Sequence, residues 1–211
     1  MLSSVKSTLI TLKYYDEAVA RWISAVISPH VVGVAITSIV TMQYADNPLE
    51  VLIWLGLLMP LLVVPPLLYV LWLVKKGALE DIFMPRRETR ARPLFVLMVW
   101  LTLCIGLMRY WSAPRIVDAF VVTTVVLVGI LGFVTLFWKI SFHGATIAAA
   151  VTATLMVIGT TALPTVLLIP LVGWSRVRLA RHTTRQVIYG SLVGVLIAVV
   201  MVQVMLLHLL Q

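Results

Sequence analysis

Acidic side chains are scarce in this chain, with 8 Asp and Glu against 16 Lys and Arg among 211 residues, and only 11% of residues carry charge. A water-soluble domain normally has about 25% charged residues, so a composition that is 62% hydrophobic with mean hydropathy +1.08 excludes one. Cysteine is nearly absent: the single Cys104 lies inside an apolar run, which excludes an internal disulfide and a thiolate metal site. Carboxylates are too dispersed to build an acidic cage, so neither a metal nor another cofactor is expected. Residues 1–16 contain Lys6, Lys13 and Asp16 and lack a long apolar core, so no cleavable leader is expected.

What the chain does have is apolar runs of membrane length. A helix needs about 20 apolar residues to cross a bilayer, which leaves room for six to seven spans and for no separate soluble domain. The expected fold is all-α, a polytopic transmembrane helix bundle forming a single domain over residues 1–211. The net charge of +8 lies beside the apolar runs. Membrane lipid headgroups or a phosphorylated substrate are therefore the expected partners, and nucleic acid is not.

Residues 1–16 alternate apolar and polar side chains and read as an interfacial arm. A first span is expected over 22–42; it contains Pro29 and His30, whose ring next to a proline is read as bonding a freed carbonyl. The second, 51–74, contains Pro60, Pro65 and Pro66, which predict a kink or break. The basic segment 75–93 follows and bunches Arg86, Arg87, Arg90 and Arg92 at the start of the third span, 93–108. There they add to the positive end of a helix dipole, so an anion site is expected beside the simpler reading of a solvated loop. The fourth span is 120–137. Lys139, Ser141 and His143 then open a segment rich in Ala, Gly and Thr, small residues that allow close helix packing in lipid. Residues 144–174 read as two short helices in a hairpin, which returns Arg176 and His182 to the face that holds His143. One long kinked helix is the alternative, and it puts the two histidines on opposite faces. A last span is expected over 187–210, with His208 interfacial.

The densest basic stretch is 174–190, with Arg176, Arg178, Arg181, His182 and Arg185 where a span meets water. Guanidinium suits planar, bidentate capture of phosphate; the bland reading is a positive-inside loop. With the turns so placed, one face carries every Lys and Arg except Arg109 and Arg115. That face is expected to be cytoplasmic, in a cell membrane of prokaryotic type.

Three ordered blocks within residues 86–186 resemble the signatures of the type 2 phosphatidic acid phosphatase superfamily. Ser175-Arg176, five residues, His182, three residues and Gln186 is similar to S-R-x5-H-x3-D. Ser141-Phe142-His143 is similar to the end of P-S-G-H. Arg86-x5-Arg92-Pro93 is similar to K-x6-R-P with one residue fewer, and a second register pairs Arg87 with Arg90. The resemblance implies that His182 is a nucleophile forming a phosphohistidine and that His143 is the general acid. It further implies that Arg176, Ser141, Lys139 and arginines of the first block hold the phosphate oxygens. The implied activity is hydrolysis of a lipid or isoprenoid phosphate monoester without a metal. Gln186 stands where the family has the Asp that orients the nucleophile, which implies a slower enzyme. The alternatives are an inactive relative that binds or moves an anionic lipid, and a lipid phosphotransferase.

Overall fold

A computed structural model describes residues 15–44, 47–82, 86 and 88–209. The expectations for the arm before Tyr15 and for Arg87, and those for the side chains of His30 and His208, lie outside the described residues. Among the described residues the chain is helical with no strand: α1 (15–26), α2 (Pro29–Tyr44), α3 (Pro48–Lys75), α4 (Ala91–Tyr110), α5 (Arg115–Phe137), α6 (Phe142–Ile158), a 3₁₀ segment (Gly159–Leu167), α7 (Leu168–Arg178) and α8 (Thr184–Leu209). Among the described residues, five segments are long and apolar enough to cross a membrane: Leu49–Lys75, Ala91–Tyr110, Val117–Phe137, Phe142–Arg178 and Thr184–Met205. The protein is an all-α integral membrane bundle.

The expected first span is not one continuous helix. It is interrupted at Ile27 and Ser28, because Pro29 has no N–H to extend α1 and instead opens α2, where the Ser28 hydroxyl accepts from the Val31 N–H at 3.4 Å. The two halves nevertheless contribute to one core, Ile23 from α1, Ile27 from the turn after it, and Val32 and Ile36 from α2, packed with Ile147, Val151 and Val172.

Of the kink or break expected in α3, the break does not occur; the helix is continuous through Pro60, Pro65 and Pro66. Pro65 removes the donor that the Leu61 carbonyl would otherwise receive, and the indole Nε1–H of Trp100 on α4 donates to that carbonyl at 2.9 Å. A neighbouring helix thus satisfies the group that proline exposes, which is how transmembrane helices tolerate this residue.

The hairpin reading of residues 144–174 holds, and the single kinked helix does not. Gly159 at φ +81° ends α6 in a conformation that favours glycine. The 3₁₀ segment, with Pro164 inside it, turns the chain, and Val172 of α7 packs back on Ile147 and Val151 of α6. The starts of α6 and α8 and the end of α7 therefore meet at one end of the bundle.

The seam between α6 and α8 holds that end together. A Cβ on Gly194 would lie 2.0 Å from the Ala145 carbonyl oxygen, and one on Gly190 would lie 2.6 Å from the Ser141 carbonyl oxygen. The two backbones touch there, and only glycine fits.

Candidate functional site

His182 is positioned by two local devices in series. The first is the end of α7, where the Ala180 N–H donates to the Val177 carbonyl at 2.9 Å and the Arg181 N–H to the Arg176 carbonyl at 3.1 Å. This is a Schellman cap, with Ala180 at φ +52° in the left-handed position. The His182 N–H also donates to the Arg176 carbonyl, at 3.3 Å, which ties the histidine to the arginine's backbone. The second device is a capping box at the start of α8. The Gln186 N–H donates to Thr183 Oγ1 at 3.3 Å, and Gln186 Oε1 accepts from the Thr183 N–H at 3.1 Å.

The same Oε1 lies 3.3 Å from His182 Nδ1. Its bond from the Thr183 N–H assigns the oxygen to this side of the amide, so the imidazole proton belongs on Nδ1 and Nε2 keeps its lone pair. Burial holds the His182 ring well below its usual basicity, at about 3, with Arg176, Lys139 and Arg90 adding repulsion that the Gln186 hydrogen bond only partly opposes. The ring is neutral at physiological pH.

A cavity of about 420 Å³ opens beside it, lined at its polar end by Arg90, His143, Thr146, Arg176 and His182. The structure thus brings together both histidines with arginines from two of the three blocks. Arg176 is 6% exposed; its Nη1 donates to Ser24 Oγ at 2.6 Å, and its Nε is buried without a partner. Arg90 is 9% exposed, and burial lowers its affinity for the proton. Lys139 is half-buried, its pKa lowered by burial and then by Arg90, Arg181 and Arg176. Such a concentration of positive charge, partly dehydrated and short of carboxylates, is suited to an oxyanion.

Other expected residues are placed elsewhere. Arg92 is exposed, and Arg86 is exposed and paired with Glu80 at 2.8 Å, so of the first block's described arginines Arg90 is the one that reaches the cavity. Ser141 is fully buried and does not line the cavity; its Oγ accepts from the Gly144 N–H at 3.2 Å as the cap of α6, and its N–H donates to the Gln186 carbonyl at 3.2 Å. Arg178 pairs with Asp16 at 3.4 Å and Arg181 with Asp81 at 3.6 Å, while Arg185 is exposed.

Two contributors were missed in the sequence. Thr183 was legible, since T-x-x-Q ahead of an apolar run is a capping-box pattern. Ser24 was not, because nothing in residues 15–26 announces that its hydroxyl meets a guanidinium from the other end of the chain.

The fold and this cavity define an integral membrane protein with a cationic, histidine-bearing pocket at one end of its helix bundle. Residues 132–208 match the family model of the PAP2 superfamily, so over that segment the chain is similar to that family. The match includes His143, Arg176, His182 and Gln186 and leaves Arg90 and Ser24 outside it. No curated protein and no solved structure matches the chain.

Proposed function

We propose that the protein is a membrane phosphatase that hydrolyses the phosphate monoester of a lipid or an isoprenoid alcohol. The observation that carries this reading is the His182 ring, its Nδ1 held on Gln186 Oε1, beside two buried guanidiniums and in a cavity shared with His143. In this reading Nε2 attacks phosphorus, the P–O bond to the alcohol breaks, and His143 delivers its proton to the departing alkoxide. His143 then takes a proton from water as the water oxygen attacks the phosphohistidine, which releases inorganic phosphate and restores both rings. Arg176 and Arg90 neutralise the equatorial oxygens, where charge builds up in the transition state. The vacant Nε of Arg176 supports this, since a phosphate oxygen would satisfy it. The many Lys and Arg at this end support a cytoplasmic orientation.

The second reading is a member that binds or moves an anionic lipid without turning it over, and Gln186 is what favours it. A neutral amide orients the imidazole but supplies no charge for the cation formed on attack. A phosphotransferase would share the first step and replace water by an acceptor alcohol. Phosphate release from a panel of diacylglycerol and polyprenyl phosphates, with His182→Ala as control, tests the proposal. Release abolished in the variant supports it; no release from any phosphate by the wild type leaves the binding reading.

A further inference from the structure

Below its polar end the phosphate cavity turns apolar, with Leu62, Leu97 and Leu101 among its walls. A second cavity of about 140 Å³ lies beyond it, between α2, α5, α6 and α8, and its lining is almost wholly carbon. Gly33, Phe120, Thr124, Leu127 and Thr146 line both cavities, so the two adjoin, and together they outline a passage along α6. Along α6 the passage runs from His143 to Val157, ~20 Å at the rise of an α-helix. That is about two-thirds of the ~30 Å hydrocarbon thickness of a bilayer.

Small residues wall its far section. Ala149, Ala150 and Ala153 on α6 and Ala198 on α8 face it. At the junction α2 approaches α5 so closely that a Cβ on Gly33 would stand 3.4 Å from the Phe120 ring. Small residues in the packed interior of a membrane bundle normally draw helices together until no space remains. Here they leave a slot that starts under the phosphate site.

We infer that this passage is the binding site for one hydrocarbon chain of a long-chain phosphate monoester, with the phosphate among Arg90, Arg176 and His182 and the chain threaded past Gly33 and Phe120 into the slot below. The inference rests on the phosphate reading of the polar end but does not require turnover. A chain entering from a bilayer exchanges one hydrocarbon surrounding for another, so its affinity rests on packing contacts along the slot.

Binding rather than hydrolysis reads the slot directly. The purified full chain in detergent is titrated with butyl phosphate, hexadecyl phosphate, farnesyl phosphate and a diacyl phosphatidic acid, for wild type, Ala153→Phe and the milder Ala153→Leu. The expected result is a hexadecyl-to-butyl affinity ratio that falls at least tenfold in Ala153→Phe and by less in Ala153→Leu. Farnesyl phosphate should follow hexadecyl if any slender chain is accepted, and the diacyl lipid should gain nothing from its second chain. A ratio unchanged in both variants overturns the inference, because ordinary lipid or detergent would then be the slot's occupant. Loss of butyl and hexadecyl binding together also overturns it, because the slot would not be separable from the phosphate site. If wild type releases no phosphate but shows the ratio and its collapse, the phosphatase reading falls and the tail site stands.

Discussion

Two seams of the bundle close in opposite ways. Between α6 and α8 the backbones touch at Gly190 and Gly194, with Ser141 and Ala145 opposite. Between α3 and α4 large side chains meet: Leu55, Leu58 and Leu62 pack with Leu101 and Cys104, and an indole bridges to a carbonyl. A seam of leucines tolerates small shifts, since its contacts are many and individually weak. A seam of glycines sets one separation. The histidines are carried at the end of the glycine seam, where the Ser141 N–H bonds the Gln186 carbonyl and so ties the start of α6 to the start of α8.

The largest expected effect breaks that seam. Gly194→Val places a branched side chain where even a Cβ would be 2.0 Å from the Ala145 oxygen, so α6 and α8 must separate. We expect loss of activity and a destabilisation above the usual 1–3 kcal/mol of overpacking, checked by phosphate release and thermal unfolding. A protein that retains both would show that the seam is not rigid.

The next effect changes chemistry while leaving the seam alone. Gln186→Asp adds a negative charge beside His182 Nδ1 and keeps an oxygen to receive the Thr183 N–H. It should raise kcat by about 10²–10³ with little change in KM, by analogy with the charge that orients the histidine of a serine-protease triad. A fall in kcat would mean that His182 already has a carboxylate's support.

A smaller effect comes from outside the glycine seam. Ser24→Ala removes the partner of Arg176 Nη1, which is buried, and loss of a hydrogen bond to a charged group costs about 1.5–3 kcal/mol. With the guanidinium no longer fixed, KM should rise about tenfold or more, and Ser24→Thr should restore much of it. Equal loss of stability and activity in both variants would assign Ser24 to packing.

The smallest effect belongs to the leucine seam. Trp100→Phe leaves the Leu61 carbonyl without its donor and should cost about 1–3 kcal/mol of stability. Activity per folded molecule should be unchanged. A loss of activity larger than the loss of folded protein would tie this seam to the site as well.

Much of this was legible in the chain. Apolar length and helix-terminating Pro and Gly are local properties, so the segments that became α3, α4, α5 and α8 could be read directly, as could the hairpin that ends α6 at Gly159. The break before Pro29 was missed because a proline within an apolar run either interrupts a helix or sits inside it, according to what satisfies the freed carbonyls. In α3 the answer was Trp100, 39 positions away in sequence. The first block shows the same limit. Its arginines are alike in sequence, and only helix position sends Arg90 inward and Arg92 outward.

The sequence by itself determined that this is an all-α membrane protein with a basic, histidine-bearing end, because hydropathy, charge and motif spacing depend on neighbours along the chain. It even contained the capping box that holds Gln186 to Thr183. Only the tertiary structure decided which cations are buried. Ser24 bonds Arg176 across 152 positions, Ser141 is consumed as a helix cap, and Gly33 and Phe120 line both cavities from two helices the motifs never mention. Those outcomes depend on which helix faces which and how closely, and that is fixed by backbone contact at residues such as Gly194 rather than by any local preference.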